Sequence, residues 1–303
     1  MYRNAFRALV MAATVFAGTQ AAAMPLSEYN LIVLNDFDGT VHVQGKTLIG
    51  GDMTAPDSVL SADAELLFSN SVSVGGNIYG HNIQVQNGNV VYGGDNTDES
   101  NISVHNGTIY QDLSLSIAAV ESELESYSAG YAGLSANGFV AGDMNGRRFT
   151  YTGTESVAVF DIDASLFQNS YGFGFDLGSA ETAIINVTGN AATIHGGMNF
   201  LGNIGELYDN ILWNFHEATS ITLNNKFVGS VLATQADVTN NGFDFDGALA
   251  ARNYNTNATN ELHSFNFQPP ATEVPEPASG VLMLMSLGLL ALARNRKRGS
   301  VNL

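Results

Sequence analysis

The 303-residue chain contains no cysteine, so neither a disulfide framework nor a thiolate metal site belongs to it. Basic residues are scarce: 11 Lys and Arg stand against 29 Asp and Glu, a formal charge of −18. A surface of that sign repels phosphate backbones, which excludes nucleic acid as a partner. No G-x-S-x-G elbow occurs, and the six His are scattered with no H-E-x-x-H pair. Paired carboxylates for glycoside hydrolysis are not singled out among so many acids. Arg147 and Arg148 are the one basic cluster of the body, and neighbours on a strand face opposite ways. The chain therefore reads as a non-enzyme. Trp213 is the one tryptophan, and in "NILWNF" a core place is expected over a sugar-stacking role.

What is present begins with the two ends. Arg3 and Arg7 precede an apolar stretch from Ala8 to Ala17, and Ala21-Ala22-Ala23 closes it. That is a secretory signal peptide over residues 1–23, with Ala21 and Ala23 as the small residues signal peptidase reads. The other end carries Pro275-Glu276-Pro277, an apolar run of 16 residues from Ala278 to Ala293, and the bases Arg294, Arg296, Lys297 and Arg298. As a helix the run spans about 24 Å, short of the roughly 30 Å hydrocarbon core. The basic stop would stay cytoplasmic. This geometry predicts membrane contact during export rather than a permanent anchor. Between the ends, residues 24–274 keep five bases (Lys46, Arg147, Arg148, Lys226, Arg252) against 28 acids, a net charge near −23.

The body, residues 24–268 before a 269–274 linker, is built of short alternating runs broken by Gly and Asn. In "IQVQ" and "ISVH" the apolar Ile83, Val85, Ile102 and Val104 point one way and their polar neighbours the other. Gly pairs fall at Gly50-Gly51, Gly75-Gly76 and Gly93-Gly94, 25 and 18 residues apart. "GDM" occurs at Gly51–Met53 and again at Gly142–Met144. Glycine corners at intervals near a coil length predict a mainly β fold, a right-handed β-solenoid; a β-sandwich is the alternative. One helix interrupts it, over about 113–134. Leu113, Ile117, Val120, Leu124, Tyr127, Tyr131 and Leu134 form its apolar stripe, with Asp112 as N-cap. At about 33 Å it would lie along several coils.

The tail, Val274-Pro275-Glu276-Pro277 followed by the apolar run and the bases, resembles a PEP-CTERM sorting signal. The resemblance implies an exosortase-type processing enzyme as partner and a Gram-negative, exopolysaccharide-making host with transient inner-membrane attachment. The stretches "YNLIVLNDFDGTVHVQGKTLIGGDM" and "ILWNFHEATSITLNNKFVGSVLATQADVTNNGFDFDGALAARNY" resemble the opening and closing parts of the choice-of-anchor A family, an adhesive domain. That likeness covers about Leu26 to Phe267. It implies a β-solenoid adhesin with a helix alongside, similar in outline to bacterial ice-binding solenoids, and no catalytic residues.

Two stretches, "NDFDGT" and "DFDGA", set carboxylates two apart before a glycine. Asp36, Asp38, Asp244 and Asp246 are therefore candidate Ca²⁺ ligands, although turn chemistry explains the same residues and no further EF-hand ligands follow. No other cofactor is indicated. Glu261 and His263 would share one strand face, where a structural hydrogen bond is expected over a metal corner. Ice binding would need regularly spaced Thr, and "TYTGT" and "TSITL" stand isolated, so no Thr ladder is expected. Exposed Asn, Ser and Gln suit sugars and also suit plain hydration. The expectation is an exported cell-surface or matrix protein with an adhesive role, whose partners are polysaccharide or other surface proteins. A carbohydrate-active enzyme or glycan-binding module is the alternative.

Overall fold

Alternating apolar residues become rungs when strands of successive coils pair in register. The computed structural model describes residues 24–63, 70–96, 101–202 and 204–270. The signal-peptide residues Ala21 and Ala23, and Pro275, Glu276, Pro277, Arg294, Arg296, Lys297 and Arg298 of the tail, lie outside the described residues. Every strand pairing described is parallel except that of Phe139–Ala141 with Arg147–Thr150. Parallel pairing between successive turns is the signature of a β-solenoid, and the sandwich alternative falls.

Each coil passes three faces. The first stacks, in spatial order, Ile109–Gln111, Asn89–Tyr92, Asn70–Val74, Lys46–Ile49, Tyr29–Val33, Leu249–Thr256, Ser230–Asn240, Ile211–Asn214, Thr182–Thr188 and Val157–Asp163. The second stacks Ala191–Ile194 and Ser220–Leu223 against the later halves of Ser230–Asn240 and Leu249–Thr256, then Phe37–Asp38, Met53–Thr54 and Ile78–Tyr79. The third runs from Ile102–Val104 to Phe227–Val228 by way of Val41–Val43 and Asn260–His263. A separate four-stranded sheet ending in Asn199–Leu201 takes the third position in the other coils of the later half.

The stacking order is not the chain order. From Tyr29–Val33 the first half grows in one direction, and the chain then passes through the helix. The second half begins with Val157–Asp163 and stacks back until Leu249 pairs with Leu31 and Ala250 with Ile32. First and last coils are thus neighbours. Asn30 fastens the junction from within: its amide donates to the carbonyls of Gly247 (2.8 Å) and His263 (3.0 Å), and its oxygen accepts from the Gly45 N–H (3.1 Å).

The Gly pairs are stacked corners, as their spacing predicts. Asx side chains bonded between equivalent corners are 16, 25 and 18 residues apart along the chain. A Cβ on Gly75 would sit 2.2 Å from the Gly50 carbonyl oxygen, and one on Gly93 would sit 2.3 Å from that of Gly75. No side chain fits between carbonyls that close. The second "GDM" is different: Asp143 and Gly146 form the turn between the two antiparallel strands, so that recurrence is not a coil repeat.

One inward row reads Phe160, Ile185, Trp213, Val231, Leu249, Leu31, Thr47, Val72, Val90 and Ile109. The first half fills its core mainly with aliphatics, whereas the later half uses Phe149, Phe167, Phe173, Trp213 and Phe227 in mutual ring contacts. These large side chains close-pack the section of the later half. Trp213 is fully buried, and its Nε1 donates to the Val228 carbonyl at 2.9 Å.

The helix is Ala118–Ala132, 15 residues or about 22 Å, shorter at both ends than the stripe predicts. Asp112 caps a turn rather than the helix: its Oδ1 accepts from the Ser114 N–H (2.9 Å) and hydroxyl (2.6 Å), which pulls its pKa down. Leu113 drops out of the stripe and is 81% exposed. The remaining stripe packs on the first face, with Leu124 and Tyr131 buried. The domain's ends meet beside it, where Met24, Leu26 and Phe267 share the same apolar cluster.

Candidate functional site

The second face carries a regular array of outward-pointing polar groups, most of them half-buried. Its inward residues Ala192, Ile221, Val238, Tyr254, Phe37, Met53 and Ile78 are buried, so the alternate positions point out. Those positions align as Thr193, Thr222, Thr239, Asn255, Asp38, Thr54 and Tyr79. At about 4.8 Å per strand, the seven rungs extend roughly 29 Å. No Thr ladder is expected from the isolated "TYTGT" and "TSITL", yet Thr193, Thr222 and Thr239 of three adjacent rungs are directly in register, because strand pairing and not chain spacing aligns them.

Two hydrogen-bonded ladders border parts of the row, one beside Thr222 to Asn255 and the other beside Thr239 to Tyr79. Along one side Asn257 donates to Asn241 and Asn241 to Asn224, each at 2.6 Å. Along the other runs a chain of Asx residues at the corner. Asn253 donates to Asp237 (2.6 Å) and accepts from the Asp36 N–H (3.1 Å). Asp36 accepts from the Asp52 N–H (2.8 Å), Asp52 from that of Asn77 (2.7 Å), and Asn77 from that of Asp95 (2.7 Å). β-Branched Thr is stiff at χ1, and the amides are tied to their neighbours, so the face is ordered before any contact.

The signal for these residues lay in tripeptides rather than in Thr spacing. "TIH", "TLN", "TNN" and "NTN" begin at Thr193, Thr222, Thr239 and Asn255, each with an Asn or His two residues on. Unequal coil lengths scatter them along the chain, and only the strand register aligns them.

The four Asp candidates separate. "DFDGT" and "DFDGA" share one local shape, with Phe37 and Phe245 inward and Gly39 and Gly247 at φ +136° and +154°. Asp36 belongs to the corner ladder and Asp38 to the Thr row. The other pair lies on the third face, where the Oδ1 of Asp244 accepts from the Glu261 N–H at 3.2 Å. Asp246 is buried, with Lys226 Nζ 2.7 Å from Oδ2 and His263 Nδ1 2.5 Å from Oδ1. Among the described residues, no group of three or more His, Asp or Glu is placed to hold a metal ion.

Glu261 and His263 do lie together, Oε2 to Nε2 at 3.5 Å, but the closer partner of His263 is Asp246. Burial works against the charge of Lys226, yet the hydrogen bond and charge of Asp246 outweigh it and hold the ammonium above the ordinary lysine range. Arg147 points its Nε to the Ser170 hydroxyl at 2.8 Å, a structural contact. Among the described residues no helix is long and apolar enough to cross a membrane, and the apolar tail lies outside them.

Comparison with known proteins gives two family matches. The model described as "Putative Ice-binding-like adhesive domain" matches residues 22–264, and that of the PEP-CTERM protein-sorting motif matches residues 273–297. No curated protein matches the chain. Similar solved structures include an ice-binding protein of the Antarctic ascomycete Antarctomyces psychrotrophicus, at 15% identity over 81% of this chain and 97% of that one (TM-score 0.44). An ice-binding protein from an Antarctic biological consortium is 17% identical over 80% and 89% (TM-score 0.38). A glycosylated ice-binding protein from an Arctic yeast is 12% identical over 83% and 96% (TM-score 0.35).

Proposed function

Starting from the premise that this chain belongs to the ice-binding-like adhesive domain family and carries a PEP-CTERM protein-sorting motif, we propose that it is an exported cell-surface or matrix adhesin that attaches through its second face. The observation that carries the reading is the seven-rung row of Thr193 to Tyr79, flanked along three rungs by one Asx ladder and along five by the other. A face already rigid loses little side-chain entropy on contact, and its even spacing suits a partner that is itself a repeating surface. Polar, hydrogen-bonding rungs favour hydroxyl-rich matrix polymers. The choice-of-anchor A likeness and an exosortase-type partner in a Gram-negative envelope belong to this same reading. The adhesive family supports a non-catalytic role.

The three aligned Thr favour one second reading, in which the repeating partner is ice itself. Thr222→Tyr would raise a bulky ring between Thr193 and Thr239, from a position that points away from the core. Host cells making Thr222→Tyr in place of the native protein are expected to export it normally and to lose surface attachment. Attachment equal to that of native cells would refute the face. Partitioning of the purified protein into growing ice, lost in the same variant, distinguishes the second reading.

A further inference from the structure

The third face ends at Phe227–Val228, which pairs with Phe245–Asp246 on one side, while the position beyond belongs to the separate sheet ending in Asn199–Leu201. The seam opens as a cleft of about 350 Å³ lined by Asn199, Phe200, Tyr208, Asn225, Lys226 and Val228. Such a volume is that of a small-molecule site, and breaks in a regular stack are where a concavity forms. We propose that this cleft binds a neutral pyranose unit of a polysaccharide, separately from the second face.

Its surface has the two characters a sugar ring needs. The partly exposed Phe200 is fixed by edge contacts to Phe227 (5.6 Å) and Trp213 (6.4 Å), and Tyr208 is fixed by its ring contact with Phe265 (4.9 Å). Rigid aromatic rings offer apolar area to the C–H side of a pyranose. Hydroxyl partners surround them. An ammonium has three N–H donors, and Asp246 occupies one of those on Lys226 at 2.7 Å. The Nδ2 of Asn199 is engaged by the Gly197 carbonyl, which leaves its oxygen as acceptor, and the Tyr208 hydroxyl adds a further group. Asn225 is a positioning residue: its oxygen accepts from the Lys226 N–H (2.8 Å) and its amide donates to the Met198 carbonyl.

Charge decides against an acidic sugar. Lys226 is neutralised by the buried Asp246, and Asp244 acts on it as well. With Glu261 beyond His263, the local field is negative, so a uronate would be repelled where a neutral polyol is not.

The test is saturation-transfer NMR on the full exported chain with methyl glucoside, methyl galactoside, methyl mannoside and glucuronate. At least one neutral pyranoside should bind, with affinity reduced tenfold or more in Tyr208→Ala and in Asn199→Ala, both checked for native circular dichroism. Affinity should be unchanged in Thr222→Tyr. No transfer to any neutral pyranoside, stronger binding of glucuronate, or native affinity in both cleft variants would overturn the proposal. Binding lost in Thr222→Tyr but kept in the cleft variants would place the sugar on the second face, overturning the cleft and leaving the adhesion reading intact.

Discussion

Replacing Asn214 by Leu should loosen the helix from the solenoid. Asn214 stands on the outer side of the first face, in register with Asn186. Its oxygen accepts from the Ser128 hydroxyl (2.8 Å), and its amide donates to the Ser128 carbonyl (2.9 Å) and the Asn186 oxygen (3.0 Å). Asn186 in turn donates to the Tyr131 carbonyl at 2.9 Å. Leu nearly conserves volume, so the loss is polar: the Ser128 hydroxyl and the Asn186 oxygen are left buried without this partner. At about 1–3 kcal/mol for each orphaned group, the cost is about 4 kcal/mol. At about 2–4 °C per kcal/mol for a domain of this size, the melting temperature falls by about 8–16 °C. Trp213 is the one tryptophan, is fully buried and adjoins the site, so its fluorescence reports urea unfolding directly. Adding Ser128→Ala removes one orphan and should return about 1–2 kcal/mol. A loss below 1 kcal/mol for Asn214→Leu, or additive losses in the double variant, would refute the clamp.

The glycine corners and the buried tyrosines allow further tests. Gly75→Ala should cost about 1–3 kcal/mol or more, because its Cβ meets the Gly50 carbonyl at 2.2 Å. Gly133→Ala, whose Cβ would meet nothing nearer than 3.5 Å, should instead stabilise by about 0.4–1 kcal/mol; paired thermal melts compare the two. Burial raises Tyr131 and Tyr254 above the ordinary value of 10.0; at Tyr254 the hydrogen bonds of Asn240 and Asn260 only partly offset it. Groups raised in the folded state contribute fully below their unfolded pKa and lose that contribution as pH rises past it. Stability should therefore decline above about pH 10, with these two phenols ionising only on unfolding. Phenolate absorbance rising fully before the loss of circular dichroism would contradict this.

Much of the architecture was legible because it is written in local signals. Gly75 and Gly93 mark corners where only a hydrogen fits, and Ile83 and Val85 alternate inward as their pattern predicts. The helix stripe was visible too, yet its start was misplaced, since the Asx turn of Asp112 competes with helix and no periodicity reveals that. Asp246 looked like a turn residue, and nothing local shows that Lys226 and His263 converge on its buried carboxylate.

By itself the sequence determined the coil repeat, the inward apolar rungs, the acidic surface and the sorting motif, because each depends on residues near one another in the chain. Only the tertiary structure decided which distant rungs become neighbours. Leu31 meets Leu249 because the chain stacks outward, returns through the helix and stacks back. The same return sets Thr193, Thr222 and Thr239 in one row with Asn255 and Asp38. Register between coils of unequal length is chosen by how the core packs and the corners bond, and that choice is made in three dimensions.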